Sequence, residues 1–311
     1  MDSHRRRDSR RGAGARLSAT FVDFAREISG ATSLTAIFGD PVEHSMSPAM
    51  HNAAYAALGL DRRYVALHVT QEHLVAAMRA IPALGILGVN LTVPHKERAA
   101  RMIHEISAEA RLLGAVNCVV NLRGKLVGDN TDARGLERDL RTRKLDLAGR
   151  LVIVIGAGGA AASAVLCALR MRAARIAIAN RTVSRAASMA RRFAPMLRRR
   201  AQIEAHGLDA LEDPPLLADA ACVINATSMG LTTRRFAPLD YAATSSQCLF
   251  YDLIYGAEPT AFLKPALGRR RPTADGAGML VGQGELAFEL FNRVAPPPGV
   301  MESALRTRLG R

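Results

Sequence analysis

The sequence predicts an α/β protein of two domains, on three observations. The chain has 311 residues, 49% of them hydrophobic, which is enough for two cores. From Leu34 onward, short apolar runs alternate with helix-like segments, as α/β architecture requires. At Leu151 a five-residue apolar run leads directly into Gly156-Ala157-Gly158-Gly159-Ala160, glycines that let a strand turn sharply into a helix and let a phosphate approach the backbone.

Leu34 to Gly39 reads as a strand, Pro48 to Leu58 as a helix, Arg63 to Val69 as a strand, Glu72 to Ile81 as a helix and Ile86 to Leu91 as a third strand. Pro94 opens a helix carrying Lys96, since proline's fixed φ suits a first helical turn. Ala115 to Asn121 and Lys125 to Gly128 pair as a hairpin, Asp129 to Asp132 is a loop, and the helix Arg134 to Lys144 is the hinge between domains. Beyond it the pattern turns doubly wound. Leu151 to Ile155, Arg175 to Ala179, Ala221 to Asn225 and Leu249 to Asp252 are apolar apart from the end residues Arg175, Asn225 and Asp252, as strands covered on both faces must be. Helices lie between them at Ala160 to Met171 and Val183 to Phe193, and the helices Met279 to Val294 and Met301 to Leu309 close the chain.

A formal net charge of +14 and a pI near 10.7 raise the question of nucleic-acid binding. The arginines cluster at residues 5–7, 10–11, 198–200 and 269–271 with few aromatic residues between them to stack on bases, so they read as solvated surface and no nucleic-acid partner is expected. The longest uncharged run, Leu151 to Leu169, is broken by glycines after five residues, so no membrane partner is expected either. Cys118, Cys167, Cys222 and Cys248 show no C-x-x-C pairing and fit reduced thiols of a cytoplasmic protein. Residues 1–33 are rich in Arg, Ser and Gly. Ser9-Arg10-Arg11 is faintly like a twin-arginine signal, but no adequate apolar stretch follows, and a disordered extension is expected.

Lys96 is one of only four lysines in a chain with 42 Lys and Arg residues. A lysine ammonium exchanges protons where arginine does not. Ser45 and Ser47, just before Pro48, can point two hydroxyls at one carboxylate, and Asn117 and Asp132 add an amide and an acid. The second strand of the doubly wound half ends in Asn180-Arg181-Thr182, with Arg185 one turn on. No carboxylate is present there for a ribose hydroxyl, and two arginines suit a 2′-phosphate, which indicates NADP rather than NAD. His44, His51 and His95 lack the spacing and carboxylate company of a metal site, so none is expected.

Six motifs in order resemble the shikimate dehydrogenase family from Ile37 to Phe291. They are Gly39 to Asn52 (G-x-P-x-x-H-S-x-S-P-x-x-H-N), Asn90 to Lys96 (N-x-T-x-P-x-K), Gly128 to Gly135 (G-x-N-T-D-x-x-G), Gly156 to Ala160, Ile224 to Gly230, and Asp275 to Gln283. The resemblance implies reversible NADP-dependent reduction of 3-dehydroshikimate to shikimate, on the route to chorismate and the aromatic amino acids. It implies a substrate domain of residues 34–131 with 275–311, whose C-terminal helices return to it, and a Rossmann NADP-binding domain of residues 132–274. Lys96 would move the proton, with Asp132 beside it. Ser45 and Ser47 would bind the carboxylate, while Thr92, Asn117, Asp132 and Gln283 hold ring hydroxyls and Tyr255 completes the pocket. Gly156, Ala157, Gly158, Gly159, Ala160, Asn180, Arg181, Thr182, Arg185 and Thr227 would hold the cofactor, and Leu253, Ile254 and Gly276 would line the nicotinamide. Three residues depart from the family pattern: Cys118 where Thr is common, Leu91 where Val is common, and Gly284 after Gln283 where Ala is usual. They leave a quinate-acting paralogue as an alternative, although Ser47, where quinate-selective relatives carry Thr, favours shikimate. A catalytically silent NADPH-binding sensor is a second alternative, and a homodimer stays open.

Overall fold

The computed structural model describes residues 28–198, 201–230 and 236–311. Two six-stranded sheets organise them. In the first, β1 (Ser33–Gly39) pairs in parallel with β2 (Arg62–His68) and β3 (Gly88–Leu91), with α1 (Ser47–Ala57) and α2 (Leu74–Ala83) as crossovers. After α3 (Lys96–Ala100), β4 (Glu105–Ile106) and α4 (Ala108–Leu113), the hairpin of β5 (Cys118–Leu122) and β6 (Lys125–Asp129) completes the order β2-β1-β3-β5-β6-β4. β5 runs antiparallel to β3, so this sheet is mixed.

α5 (Asp132–Thr142) leads into the second sheet. There β7 (Leu151–Ile155), β8 (Arg175–Ala179), β9 (Gln202–His206), β10 (Ala220–Asn225), β11 (Leu249–Asp252) and β12 (Thr273–Ala274) are all parallel, in the order β12-β11-β10-β7-β8-β9. α6 (Gly159–Arg170), α7 (Val183–Phe193), α8 (Pro214–Ala218) and α9 (Leu263–Gly268) lie between its strands. β7 shows why the run is apolar throughout. Val152 and Val154 pack with α5 and α6, while Leu151, Ile153 and Ile155 pack with Leu217, Phe250 and Phe262 on the opposite face. The chain goes from β7 outward through β8 to β9, then returns to β10 on the other side of β7, so the strand order reverses between β7 and β10. Ligand crevices form at such a reversal, outside the carboxyl ends of the strands.

α10 (Ala277–Asn292) and α11 (Val300–Leu309) turn back to the first sheet, where Phe288, Phe291, Met301 and Leu305 pack with Met50, Tyr55 and Tyr64. α5 joins the halves. Leu136 and Leu140 belong to the core under α6, while Gly135 lies against α10, where a Cβ would stand 2.5 Å from the Gln283 nitrogen. Tyr251 of β11 also donates to Asp139 Oδ2 of α5 at 2.7 Å.

The expected elements recur with ends shifted by at most three residues, the largest shift being β5, which starts at Cys118 and not Ala115. The third strand starts later, at Gly88, because Gly85 turns with φ +65° and Ile86 still bonds back to the Ile81 carbonyl. Sequence periodicity missed β4, α4, β9, α8, α9 and β12, all of six residues or fewer. α4 carried a readable signature: the Ser107 hydroxyl accepts from Ala110 N, and Gly114 ends the helix left-handed at φ +64°. Of the expected 1–33 extension, residues 1–27 lie outside the described residues. Within it, Thr32 bonds Asp61 at 2.8 Å and Ser33 opens β1, so β1 starts one residue earlier than the expected boundary.

Candidate active site

A cavity of about 320 Å³ opens between the carboxyl ends of the first sheet and residues following β11. Its lining contains all eight residues expected to bind the ring acid: Ser45, Ser47, Thr92, Lys96, Asn117, Asp132, Tyr255 and Gln283. Separate segments of the chain deliver them. Ser45 precedes α1 and Ser47 starts it; Thr92 follows β3; Lys96 begins α3; Asn117 precedes β5; Asp132 begins α5; Tyr255 follows β11; Gln283 lies on α10.

Lys96 Nζ donates to Asp132 Oδ2 at 2.7 Å, with the Lys96 side chain 31% exposed and Asp132 11%. Asp132 Oδ1 accepts from Asn117 Nδ2 at 2.7 Å. The carboxylate also begins α5, where the exposed amides of a helix start favour negative charge. Asn117 is more committed than its expected role allowed. Its second amide proton goes to Thr131 Oγ1 at 3.0 Å, and its Oδ1 accepts from Thr131 N at 2.8 Å, so its amide holds Asp132 and the turn before α5. Gln283 Nε2 likewise donates to Leu280 O, within its own helix. Ser45 Oγ accepts from Ser47 N at 3.3 Å, which leaves the Ser45 hydroxyl proton free to donate. His95, next to Lys96 and fully buried, bonds the Val69 carbonyl through Nε2 at 2.6 Å and ties α3 to the end of β2.

Asn90 also lines the cavity, a position to which the sequence reading assigns no ligand role; its signals are its place near the end of the third strand and at the head of the motif that ends in Lys96. Of the three departures, Leu91 lines the cavity and Cys118 is fully buried beside Asn117. Gly284 does not face the cavity. A Cβ there would meet Met50 Cε at 3.3 Å and, farther off, Met301 and His51, so it bears on helix packing and not on the ring acid. His44 reaches the cavity, whereas His51 and His95 are fully buried. Among the described residues no group of three His, Cys, Asp or Glu side chains could hold a metal ion.

The residues expected to hold the cofactor gather at the carboxyl ends of the second sheet. Gly156 to Ala160 follow β7, Asn180 to Thr182 follow β8 with Arg185 in the first turn of α7, Thr227 follows β10, and Leu253 follows β11 beside Gly276. Their local structure suits a dinucleotide. Gly156 has φ +116°, strained for any side chain, and a Cβ there would meet the Ala226 carbonyl at 3.0 Å. Gly158 and Gly159 face open space, and α6 starts without a side-chain cap or an acidic residue in its first turn, leaving its N–H groups for a pyrophosphate. Arg181 and Arg185 are exposed and pair with no carboxylate among the described residues. Leu253 and Gly276 line the ring-acid cavity as well, so the two sites meet there.

Three family models match in order: a shikimate dehydrogenase substrate binding domain at residues 37–119, a shikimate / quinate 5-dehydrogenase at 139–253, and a shikimate 5'-dehydrogenase C-terminal domain at 276–306. A shikimate dehydrogenase (NADP(+)) of Citrifermentans bemidjiense is 40% identical over 91% of this chain and 97% of its own length. The chain belongs to the shikimate dehydrogenase family. Among solved structures, the shikimate 5-dehydrogenase of Thermus thermophilus in complex with NADP(H) and shikimate superposes with a TM-score of 0.79 at 33% identity, covering 89% of this chain and 100% of that one. A ligand-free 5-ketofructose reductase of Gluconobacter sp. strain CHM43 also matches, with a TM-score of 0.79 at 31% identity over 90% of this chain and 100% of that one. The shikimate dehydrogenase fold therefore also occurs in a protein named for another ketone, and substrate has to be argued from the cavity.

Proposed function

We propose that the protein is an NADP-dependent shikimate dehydrogenase that interconverts 3-dehydroshikimate and shikimate. The Lys96–Asp132 pair at 2.7 Å, in a cavity that also holds every other residue expected for a ring acid, carries this reading. When bound at the carboxyl ends of the second sheet, NADP would supply the hydride for reduction and accept it in oxidation. In reduction the Lys96 ammonium gives its proton to the alkoxide that forms at the ketone oxygen; in oxidation the same nitrogen takes the hydroxyl proton. Asp132 holds that nitrogen in place, itself held by Asn117. Ser45 and Ser47 donate to the carboxylate, Thr92 and Gln283 hold ring hydroxyls, and Tyr255 closes the pocket from the cofactor side. The intact proton-transfer pair argues against a silent sensor.

Residues 34–131 with 275–311 form the substrate domain and 132–274 the NADP domain on this reading, supported by the packing of α10 and α11 against α1 and β2. The four buried free thiols support a cytoplasmic setting. A steady-state assay that crosses shikimate and quinate with NADP and NAD tests the proposal. Shikimate with NADP is expected to give the highest kcat/KM; faster turnover of quinate, or of NAD, would contradict it.

A further inference from the structure

The Tyr64 phenol is 1% exposed and outside the cavity lining, yet it touches that lining from behind. It donates to Asn90 Oδ1 at 2.8 Å, while Asn90 Nδ2 donates to the Asn117 carbonyl at 3.1 Å. A carboxamide offers one oxygen and two N–H protons. With the oxygen and one proton committed, the Asn90 amide has one N–H left as a donor at the cavity it lines. Without the phenol the amide oxygen loses its partner and the group is free to turn, presenting a lone pair where a carboxylate or hydroxyl oxygen is to bind.

Tyr64 is itself held on three sides. Asn52 of α1 brackets its backbone, accepting from Tyr64 N at 2.8 Å and donating to Tyr64 O at 2.9 Å. The His51 ring stacks on the phenol ring at 4.1 Å and 20°. The Ser47 side chain stands beside the same phenol, and burial raises the phenol's pKa well above its usual value, so it stays a donor.

We propose that Tyr64 is a positioning residue for the ring-acid site: its phenol fixes the Asn90 carboxamide so that an N–H, and not the oxygen, is presented to substrate. The proposal rests on the ring-acid reading above. A double-mutant cycle of Tyr64→Phe and Asn90→Ala tests it, with KM for shikimate, KM for NADP and kcat measured for each form. Tyr64→Phe keeps the stacked ring and is expected to raise KM for shikimate about tenfold, the scale of one lost hydrogen bond, with kcat within about threefold and KM for NADP unchanged. Because Tyr64 acts through Asn90, the double variant is expected to be no worse than Asn90→Ala alone. An unchanged KM in Tyr64→Phe, or a double variant showing the product of the single effects, overturns the proposal. If Tyr64→Phe does not fold, Asn90→Asp, which replaces the N–H donor with an acceptor, is expected to raise KM by at least as much, and a wild-type KM overturns it. Failure of the wild-type protein to turn over shikimate would instead overturn the ring-acid reading.

Discussion

Asp132 accepts from Asn117 on one oxygen and from Lys96 on the other, so a single atom replaced there removes both the charge that holds the ammonium and one oxygen of the arrangement. Asp132→Asn is expected to lower kcat by about 10²-fold or more, the usual worth of an acid–base group, while thermal stability changes little; near-normal turnover of the purified variant would remove Asp132 from the chemistry. On the cofactor side, Arg181→Ala is expected to raise KM for NADP about tenfold and leave that for NAD unchanged, because only NADP carries the 2′-phosphate an unpaired arginine can meet. Equal losses for both cofactors would make Arg181 structural. All eight residues expected for the ring acid line one cavity; six of them sit in the short motifs that carry the family resemblance, while Asn117 and Tyr255 lie outside those motifs. Asn90 and Tyr64 are harder to read: each lies within a strand and has an ordinary structural explanation there, and what the structure adds is the bond between them and the place of Asn90 in the cavity lining.

α1, β2 and α10 meet around His51, which is fully buried, with neither ring nitrogen bonded to a partner and with Tyr64 stacked upon it. Burial pushes this imidazole down to about 3 from 6.5, so the folded protein keeps it neutral where the unfolded chain takes up a proton. The unfolded state then binds more protons below pH 6.5, so the stability from this site is complete above 6.5 and declines as pH falls toward 3. His51→Phe is expected to flatten the dependence of unfolding free energy on pH across that window by a few kcal/mol at its acid end. Parallel curves for the two proteins, by urea unfolding at a series of pH values, would show that His51 does not titrate on unfolding. The α5–α10 crossing depends on glycine in a different way. A Cβ at Gly135 would stand 2.5 Å from Gln283 N and 2.9 Å from its Cα, backbone atoms that cannot give locally. Gly135→Ala is therefore expected to cost about 1–3 kcal/mol and lower the Tm by several degrees. It should also raise KM for the ring acid, since Gln283 lines the cavity; an unchanged Tm would mean the helices separate freely.

Across the whole molecule, the all-parallel second sheet was the most legible part. Its four inner strands, β7, β8, β10 and β11, are covered on both faces and so are apolar except at an end residue, and its glycine turn follows β7 directly. The first sheet was legible in its parallel half. Its far edge was not, because β4 has two residues, too few for any period to show. β9 escaped for another reason: as an edge strand it has no fully buried residue, so its pattern reads like surface. Residue patterns alone do not supply the convergence, which only the family resemblance implies: Lys96 and Asp132, from different helices and 36 positions apart, close to 2.7 Å between the carboxyl ends of both sheets. Kinetics of Lys96→Ala, with direct measurement of NADP binding, test whether this pair moves the proton. kcat is expected to fall by about 10²-fold or more with the NADP Kd unchanged, because the variant loses the proton-transfer group and no cofactor contact. Turnover within a few fold of wild type would contradict it.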